Sequence, residues 1–395
     1  MSGIYIHIPF CKQACYYCDF HFSTSLKKKD ELIRALIKEL ELRKHELQGE
    51  TIETIYFGGG TPSLLSIDEL LLIIDAVYKN FEVAENPEIT LEANPDDLTV
   101  ERINDLATTR INRLSIGIQS FFEDDLKMMN RAHNAVEAKS CLLEATRHFD
   151  NITIDLIYGI PNMSLEKWNQ NLETAFDFGV NHISSYALTV EPKTALDSFI
   201  KKGTYPPLDE ALALEHFNHL IEITERQGFV QYEISNFGTP GYFSKHNTSY
   251  WQGKKYLGIG PSAHSFIGNH RSWNIANNSK YIKALKSDVL PNTTETLTKQ
   301  DRFNEYVMTG LRTIWGVSLT KVKEMFGEAY LRHLEASAEK FIDQGLLVIA
   351  NQVKQSSILE EITSLRTPRN DDTLKTTKKG KFLVDGMASE LFILN

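Results

Sequence analysis

Three cysteines, Cys11, Cys15 and Cys18, stand in a CxxxCxxC run only eight residues long. Thiols this close are poorly arranged for disulfide stapling and well arranged for wrapping around metal. A cubane of four irons ordinarily takes four thiolates, so three cysteines with no near fourth leave one iron with an open coordination site. The remaining cysteine, Cys141, lies among Leu142, Leu143 and Ala145 in a helical pattern, where a cysteine behaves as a small buried hydrophobe. The competing reading is zinc, since three cysteines plus His7 or His21 would make a Cys3His site. The spacing admits both, and the placement favours iron–sulfur. Zinc ribbons and knuckles are small autonomous units, whereas this loop follows the first strand of a large α/β core.

The elements that must position these thiols alternate through the first half of the chain. Strand-like segments run Ile4–Ile8, Thr54–Phe57, Glu88–Glu92, Arg113–Gln119, Asn151–Tyr158 and His182–Leu188. Helical spacing fills the gaps: Leu32, Ile33, Leu36, Ile37 and Leu40, then Leu70–Val77 behind a Ser66/Glu69 capping box, then Thr99–Ala107, Ala135–Phe149 and Ser164–Phe178 with Gly179 as C-cap. Six βα units predict a partial (β/α)6 TIM-like barrel with a parallel sheet. In such barrels chemistry gathers at the C-terminal ends of the strands. Along the first strand Tyr5 and His7 share one face and Ile4, Ile6 and Ile8 the other.

A further helix spans Leu208–Gln227, and the texture then turns rich in Tyr, Phe, Gly and Asn up to about Asn278. From Thr298 the pattern is helix (Asp301–Thr313), helix (Leu319–Met325), helix (Glu328–Gln344), strand (Leu346–Ala350) and a last helix near Phe382–Phe392, an order resembling a small winged-helix module. The polar stretch Gln355–Lys375 lacks periodicity and is expected to be a mobile loop. The expected organisation is therefore a barrel over 1–235, a barrel-associated segment over 236–297 and a mostly helical, winged-helix-like domain over 298–395.

Composition narrows the function classes. At 395 residues the chain exceeds one ordinary core, and 42% hydrophobic with 24% charged residues is the balance of a folded soluble protein. A net charge of -10 argues against sequence-independent nucleic-acid binding, which needs a basic surface to displace counterions. Neither a basic start followed by an apolar stretch nor a membrane-length apolar run is found, so a cytoplasmic protein is expected. Lys27, Lys28 and Lys29 read as a solvated face.

CxxxCxxC after the first strand of a (β/α)6 barrel resembles the radical S-adenosylmethionine superfamily. Tyr5, His7, Pro9 and Phe10 before the cysteines, and Gly58, Gly59, Gly60, Thr61 and Pro62 after the second strand, resemble the branch of the oxygen-independent coproporphyrinogen oxidases and their HemW relatives. The resemblance implies a 4Fe-4S cluster on Cys11, Cys15 and Cys18, with S-adenosylmethionine on its open iron. It implies that Gly59, Gly60 and Thr61 approach the methionine moiety, glycine letting backbone come close. It further implies that Glu92 holds the ribose hydroxyls, that Gln119, Arg131 and Asp155 line the pocket, that Tyr5 packs near the cofactor, and that Tyr17 touches a second cofactor molecule. An ordinary tight turn at the glycines, a helix cap at Arg131 and a plain Arg131–Asp155 ion pair are the structural alternatives.

Within that branch two features separate oxidase from carrier. The oxidases carry a further cysteine two residues after the third, where this chain has Phe20. His246-Asn247-Thr248-Ser249-Tyr250-Trp251 reproduces the HNxxYW motif of the HemW-type haem chaperones. An imidazole can ligate haem iron axially, and Tyr250 and Trp251 offer flat apolar surface for a porphyrin. The rival axial ligand is His264, and the alternative for His246 is a local hydrogen bond with the aromatics in the core. The resemblance thus implies a haem chaperone delivering haem to acceptor haemoproteins, membrane-bound ones among them, with membrane-surface contact and a cluster-promoted dimer. The alternative function is oxidative decarboxylation of coproporphyrinogen III by a 5′-deoxyadenosyl radical, the cofactor supplying the chemistry and the protein the positioning.

Overall fold

The computed structural model describes residues 2–351 and 372–394. Six strands, β1 (Ser2–Ile8), β2 (Ile52–Gly59), β3 (Val83–Ala93), β4 (Arg113–Gln119), β5 (Asn151–Tyr158) and β6 (His182–Ala187), lie side by side in chain order, and every pairing among them is parallel. Helices α1 (Lys29–Leu42), α2 (Ile67–Asn80), α3 (Val100–Ala107), α4 (Glu123–Met128), α5 (Ala135–His148) and α6 (Leu165–Asp177) supply the crossovers. The Ser66/Glu69 capping box starts α2, and Gly179, at φ +70°, closes α6 by donating to the Phe176 carbonyl. The six-unit partial barrel expected from the sequence is present.

The sheet does not stop at six strands. After α7 (Ala195–Lys201) and α8 (Glu210–Arg226), β7 (Val230–Glu233) and β8 (Asn236–Gly238) extend it antiparallel beyond β6. After α9 (Lys245–Trp251), β9 (Tyr256–Ile259) pairs parallel with β1, and β10 (His264–Ile267), β11 (His270–Asn274) and, past α10 (Asn278–Leu285), β12 (Asn292–Thr296) continue antiparallel. These strands of three to five residues, separated by Gly and Asn turns, carry too little alternation to be read locally. A buried ionic knot welds them to α1: Glu39 accepts from Arg43, Asn274, Tyr281 and the Gly260 amide, while Arg43 also donates to the Gly258 carbonyl.

Alternation along the parallel strands explains how the fold makes a site. Ile4, Ile6 and Ile8, Ile55 and Phe57, Ile89 and Leu91, Leu114, Ile116 and Ile118, and Ile152, Ile154 and Leu156 are buried, forming the apolar core shared with the helices. The opposite face carries Tyr5 and His7, Thr54 and Tyr56, Glu88, Thr90 and Glu92, Arg113 and Ser115, and Thr153 and Asp155. A parallel sheet covered on both sides is ordinarily apolar on both. Here the barrel interior is polar and charged, so the inside of this barrel is a site rather than a second core.

The last unit comprises α11 (Lys299–Leu311), β13 (Val317–Ser318), α12 (Leu319–Phe326), α13 (Glu328–Asp343), β14 (Leu347–Asn351), β15 (Asp372–Thr376) and α14 (Val384–Glu390), with sheet order β13-β15-β14. It has its own core around Phe303, Val307, Phe326, Leu334 and Phe341. Two expectations change here. Of the polar stretch Gln355–Lys375, residues up to 371 lie outside the described residues, while Asp372–Lys375 belong to strand β15, because Leu374 alternates into the core between β13 and β14. The final helix is shorter than expected: Phe382 belongs to a 3-10 turn over Lys378–Leu383, and the α-helix starts at Val384.

Candidate functional site

The cysteine loop leaves the C-terminal end of β1 and is tethered by backbone rather than by its thiols. The Cys11 amide donates to the Ser23 carbonyl, Tyr16 to Met129, and Leu196 to Tyr16. The end of β2 clamps the loop entrance: Gly60 donates to Ile8 and Thr61 to Phe10, at 2.9 and 2.6 Å. A Cβ on Gly60 would sit 2.6 Å from the Phe10 carbonyl oxygen, and one on Gly59, at φ +106°, would strike the His7 ring. The successive glycines therefore bring two strand ends together. The Gly59 amide donates to Glu92, and Thr61 is buried and accepts from Asn94.

Cys11, Cys15 and Cys18 are half-buried and free of disulfides. Burial pushes the Cys18 thiol up to about 11, and Cys11 is raised by the same cause. The guanidinium of Arg131 reaches Cys15 Sγ and the Tyr17 hydroxyl, both at 3.3 Å, and donates to Asn94 and the Gly117 carbonyl at 2.7 and 2.9 Å. It stands beside the thiols as a fixed positive charge, neither capping a helix nor within ion-pair distance of Asp155. Among the described residues no three or more His, Cys, Asp and Glu side chains converge on one ion position. A zinc ion needs such convergence, whereas a cubane gives each thiolate its own iron. His7 and His21 are also engaged elsewhere: His7 with the Tyr5 hydroxyl and the His21 carbonyl, and the His21 ring with Asn278. The three half-buried thiols and the adjacent cation fit a three-cysteine cluster, and His7 and His21 are held by other partners. Cys141 is buried in α5, its thiol pushed up to about 12 by burial.

Behind the loop polar side chains gather at the strand ends. Glu92 accepts from the Tyr56 hydroxyl at 2.8 Å and the Gly59 amide at 3.2 Å. Burial pushes its carboxyl up to about 7, against the Tyr56 hydrogen bond, and burial likewise lifts Asp155 to about 6 against the attraction of Arg113 and Arg131. Gln119 ends β4 with φ +66°, a left-handed backbone uncommon outside glycine, and a Cβ on Gly117 would crowd its amide and Arg131 at 3.0 Å each. The structure thus gathers Tyr17, Gly59, Gly60, Thr61, Glu92, Gln119 and Arg131 at or beyond the strand ends, with Tyr5 and Asp155 deeper on β1 and β5. Sequence reasoning missed Tyr56, Asn94 and Arg113. The signal was available for Tyr56 and Arg113, which alternate with buried Ile55, Phe57 and Leu114.

His246 departs from its expected role. It begins α9, and the backbone amides of Lys245 and His246 both donate to buried Glu88 at 3.0 Å. The ring is 1% exposed; its Nδ1 lies 2.7 Å from Thr54 Oγ1 and its Nε2 2.6 Å from the Tyr250 hydroxyl. It stacks on Tyr56 at 4.9 Å and on Tyr5 at 6.4 Å. Burial, with Arg113 nearby, pushes its pKa down to about 3, so the ring is neutral. Both ring nitrogens carry hydrogen-bond partners and the ring is buried, so in this structure His246 lies in the floor of the barrel interior. Trp251, at the other end of α9, lies under Arg312 of the last unit, 5.1 Å from ring centroid to guanidinium carbon. The rival imidazole is the opposite case. His264 is exposed and rests on Trp273 at 6.2 Å, with no hydrogen-bond partner to its ring among the described residues.

Comparison with known proteins agrees with this architecture. The Radical SAM superfamily profile matches residues 5–175 and the HemN C-terminal domain profile residues 297–353. The chain is 35% identical to the heme chaperone HemW of Bacillus subtilis (strain 168), over 85% of this chain and 88% of that one. It is 38% identical to heme chaperone HemW of Escherichia coli (strain K12), over 67% of this chain and 70% of the other. In fold it matches the radical SAM enzyme coproporphyrinogen III oxidase (HemN) of Escherichia coli with a TM-score of 0.81 at 20% identity, covering 99% of this chain and 90% of that one. By these relatives, the chain belongs to the HemW family of the radical SAM superfamily.

Proposed function

We propose that this protein is a haem carrier that holds a 4Fe-4S cluster on Cys11, Cys15 and Cys18, binds S-adenosylmethionine in the adjoining cleft, and passes haem to acceptor haemoproteins. The observation that carries the reading is the arrangement of the cysteine loop: three half-buried thiols without disulfides, on a loop clamped by backbone, beside the Arg131 guanidinium and the polar strand ends. The cluster, when present, supplies an electron and an open iron. The chain's own residues do the rest. Arg131 offsets thiolate charge, Gly60 and Thr61 fix the loop entrance, and Glu92 offers a carboxylate edge to hydroxyl donors.

The naming of the relatives supports haem as cargo, and Phe20, where the oxidases place a further cysteine, supports carriage over decarboxylation. Of the two candidate imidazoles His264 is the better axial donor. Its register opposite Trp273 and beside Phe266 puts an unpartnered nitrogen on the same sheet face as Tyr256, which aligns with the interior residues of β1. Aromatic faces with an accessible imidazole suit a flat apolar macrocycle bearing iron. Among the described residues no helix is long and apolar enough to cross a membrane, so contact with a membrane-bound acceptor would be peripheral.

The test is anaerobic reconstitution with iron and sulfide, followed by haem titration in one sample and a coproporphyrinogen III turnover assay in another. Stoichiometric haem binding without protoporphyrinogen is the expected result. Product accumulating together with 5′-deoxyadenosine would make the protein an oxidase and Phe20 a poor guide.

A further inference from the structure

In the HNxxYW segment the side chains of His246 and Tyr250 are held by hydrogen bonds, and their neighbours lead to the cofactor pocket. Ser244 caps α9 by accepting from the Asn247 amide, and Glu88 receives the first two helix amides, so the backbone carrying His246 is fixed from below. Trp251 under Arg312 fixes the other end, with Arg312 itself held by Glu233 and Asp385. Between these anchors the imidazole has one freedom left, rotation of its ring, and the bonds to Thr54 and Tyr250 remove it. Even the neighbouring strand leaves room for it: a Cβ on Gly3 would lie 3.2 Å from the ring and 2.6 Å from Thr54 Oγ1.

What this ring supports is Tyr56. The two rings lie 4.9 Å apart and 23° from parallel, and the Tyr56 hydroxyl is the donor that orients one oxygen of Glu92 while the Gly59 amide orients the other. We propose that His246 is a positioning residue of the cofactor pocket: by bracing Tyr56 from below it sets the orientation of the Glu92 carboxylate that receives S-adenosylmethionine. The inference rests on the reading that this cleft takes that cofactor. It assigns the motif a task that needs no contact with haem, and it explains why a histidine is used. An imidazole offers a flat face for stacking and two in-plane nitrogens for a clamp, and burial between a hydroxyl on each side keeps it neutral.

The experiment uses the full chain, reconstituted anaerobically, with S-adenosylmethionine affinity measured by equilibrium dialysis at a series of pH values and haem affinity measured in parallel. Tyr56→Phe deletes only the donor to Glu92, and loss of one hydrogen bond to a charged group lowers affinity about tenfold. The groups around Glu92 are Tyr5 from β1, Tyr56 from β2, Arg113 from β4, Asp155 from β5 and Tyr250 from α9. Because the Tyr56 hydrogen bond holds the Glu92 carboxyl down, its removal moves the pH at which affinity falls upward. His246→Ala is expected to reproduce both changes, and Tyr250→Phe, which trims one side of the clamp, to produce them more weakly, with iron content and haem affinity unchanged in all three. Tyr250→Phe keeps the test running if His246→Ala does not accumulate as folded protein. The proposal is overturned if Tyr56→Phe moves affinity and pH profile while neither floor variant does, or if His246→Ala abolishes haem binding and leaves S-adenosylmethionine binding intact. Failure of the unsubstituted chain to bind S-adenosylmethionine would overturn the cleft reading, and this inference with it.

Discussion

The two ends of the barrel interior are built from similar residue types and behave differently. At the C-terminal end the thiols of Cys11, Cys15 and Cys18 are free, Gln119 sits in left-handed backbone, and Phe20 is 68% exposed. At the floor His246, Tyr250, Thr54 and Glu88 satisfy one another. Both stretches carry a short motif that reads as ligand chemistry. What separates them is burial: His246 is 1% exposed with both ring nitrogens hydrogen-bonded, whereas the three thiols are half-buried on a loop and Cys15 faces the charge of Arg131. Half-buried thiols and the left-handed backbone at Gln119 mark the working end of this barrel.

That contrast can be broken by substitution. The largest effect belongs to the open end: Cys15→Ala should abolish cluster assembly, read as loss of iron, sulfide and charge-transfer absorbance, while stability of the cluster-free protein changes by only about 1 kcal/mol. At the floor the order reverses. Thr54→Val leaves His246 Nδ1 buried without a partner and should cost about 1–3 kcal/mol in urea unfolding with cluster content unchanged. A Cys15→Ala protein that is strongly destabilised, or a Thr54→Val protein of normal stability, would erase the distinction.

pH sharpens the comparison further. The Glu92 carboxyl is raised by burial to about 7 from an ordinary 4.5, so its proton is held more tightly folded than unfolded. Its contribution to stability is full below about 4.5 and is lost as pH rises through about 7. Asp155, raised to about 6, acts in the same direction, and the two titrate as a coupled set. S-Adenosylmethionine binding, which uses the carboxylate form, should run oppositely and strengthen as pH rises through about 7. Thermal melts of the cluster-free chain and dialysis of the reconstituted one should therefore show opposite slopes across this window. The smallest effect is expected at Phe20→Ala: the side chain is exposed on the cysteine loop, so iron content and stability should stay at wild-type levels.

Legibility followed the range of the interactions. The cysteine loop and the six parallel strands are local patterns of spacing and alternation, and they could be read directly. The burial of His246 could not, because it depends on which face α9 turns to the barrel, decided by Glu88 and Thr54, 158 and 192 residues upstream, and by their own inward alternation. The strands from Tyr256 to Thr296 escaped for a related reason: each is held by neighbours and by the Glu39–Arg43 knot rather than by its own pattern. Arg113 and Tyr56 were within reach, since a charged or phenolic residue alternating with isoleucine and leucine in a parallel strand faces an interior that has work for it.

One haem titration of the reconstituted protein and its His246→Ala and His264→Ala variants, followed by the haem absorbance band, separates a structural floor from a haem-carrying His264. His264→Ala should weaken haem binding by about tenfold or more, as loss of an axial ligand would, while His246→Ala should bind haem like the unsubstituted chain. Loss of haem binding in His246→Ala with His264→Ala unaffected would contradict both expectations.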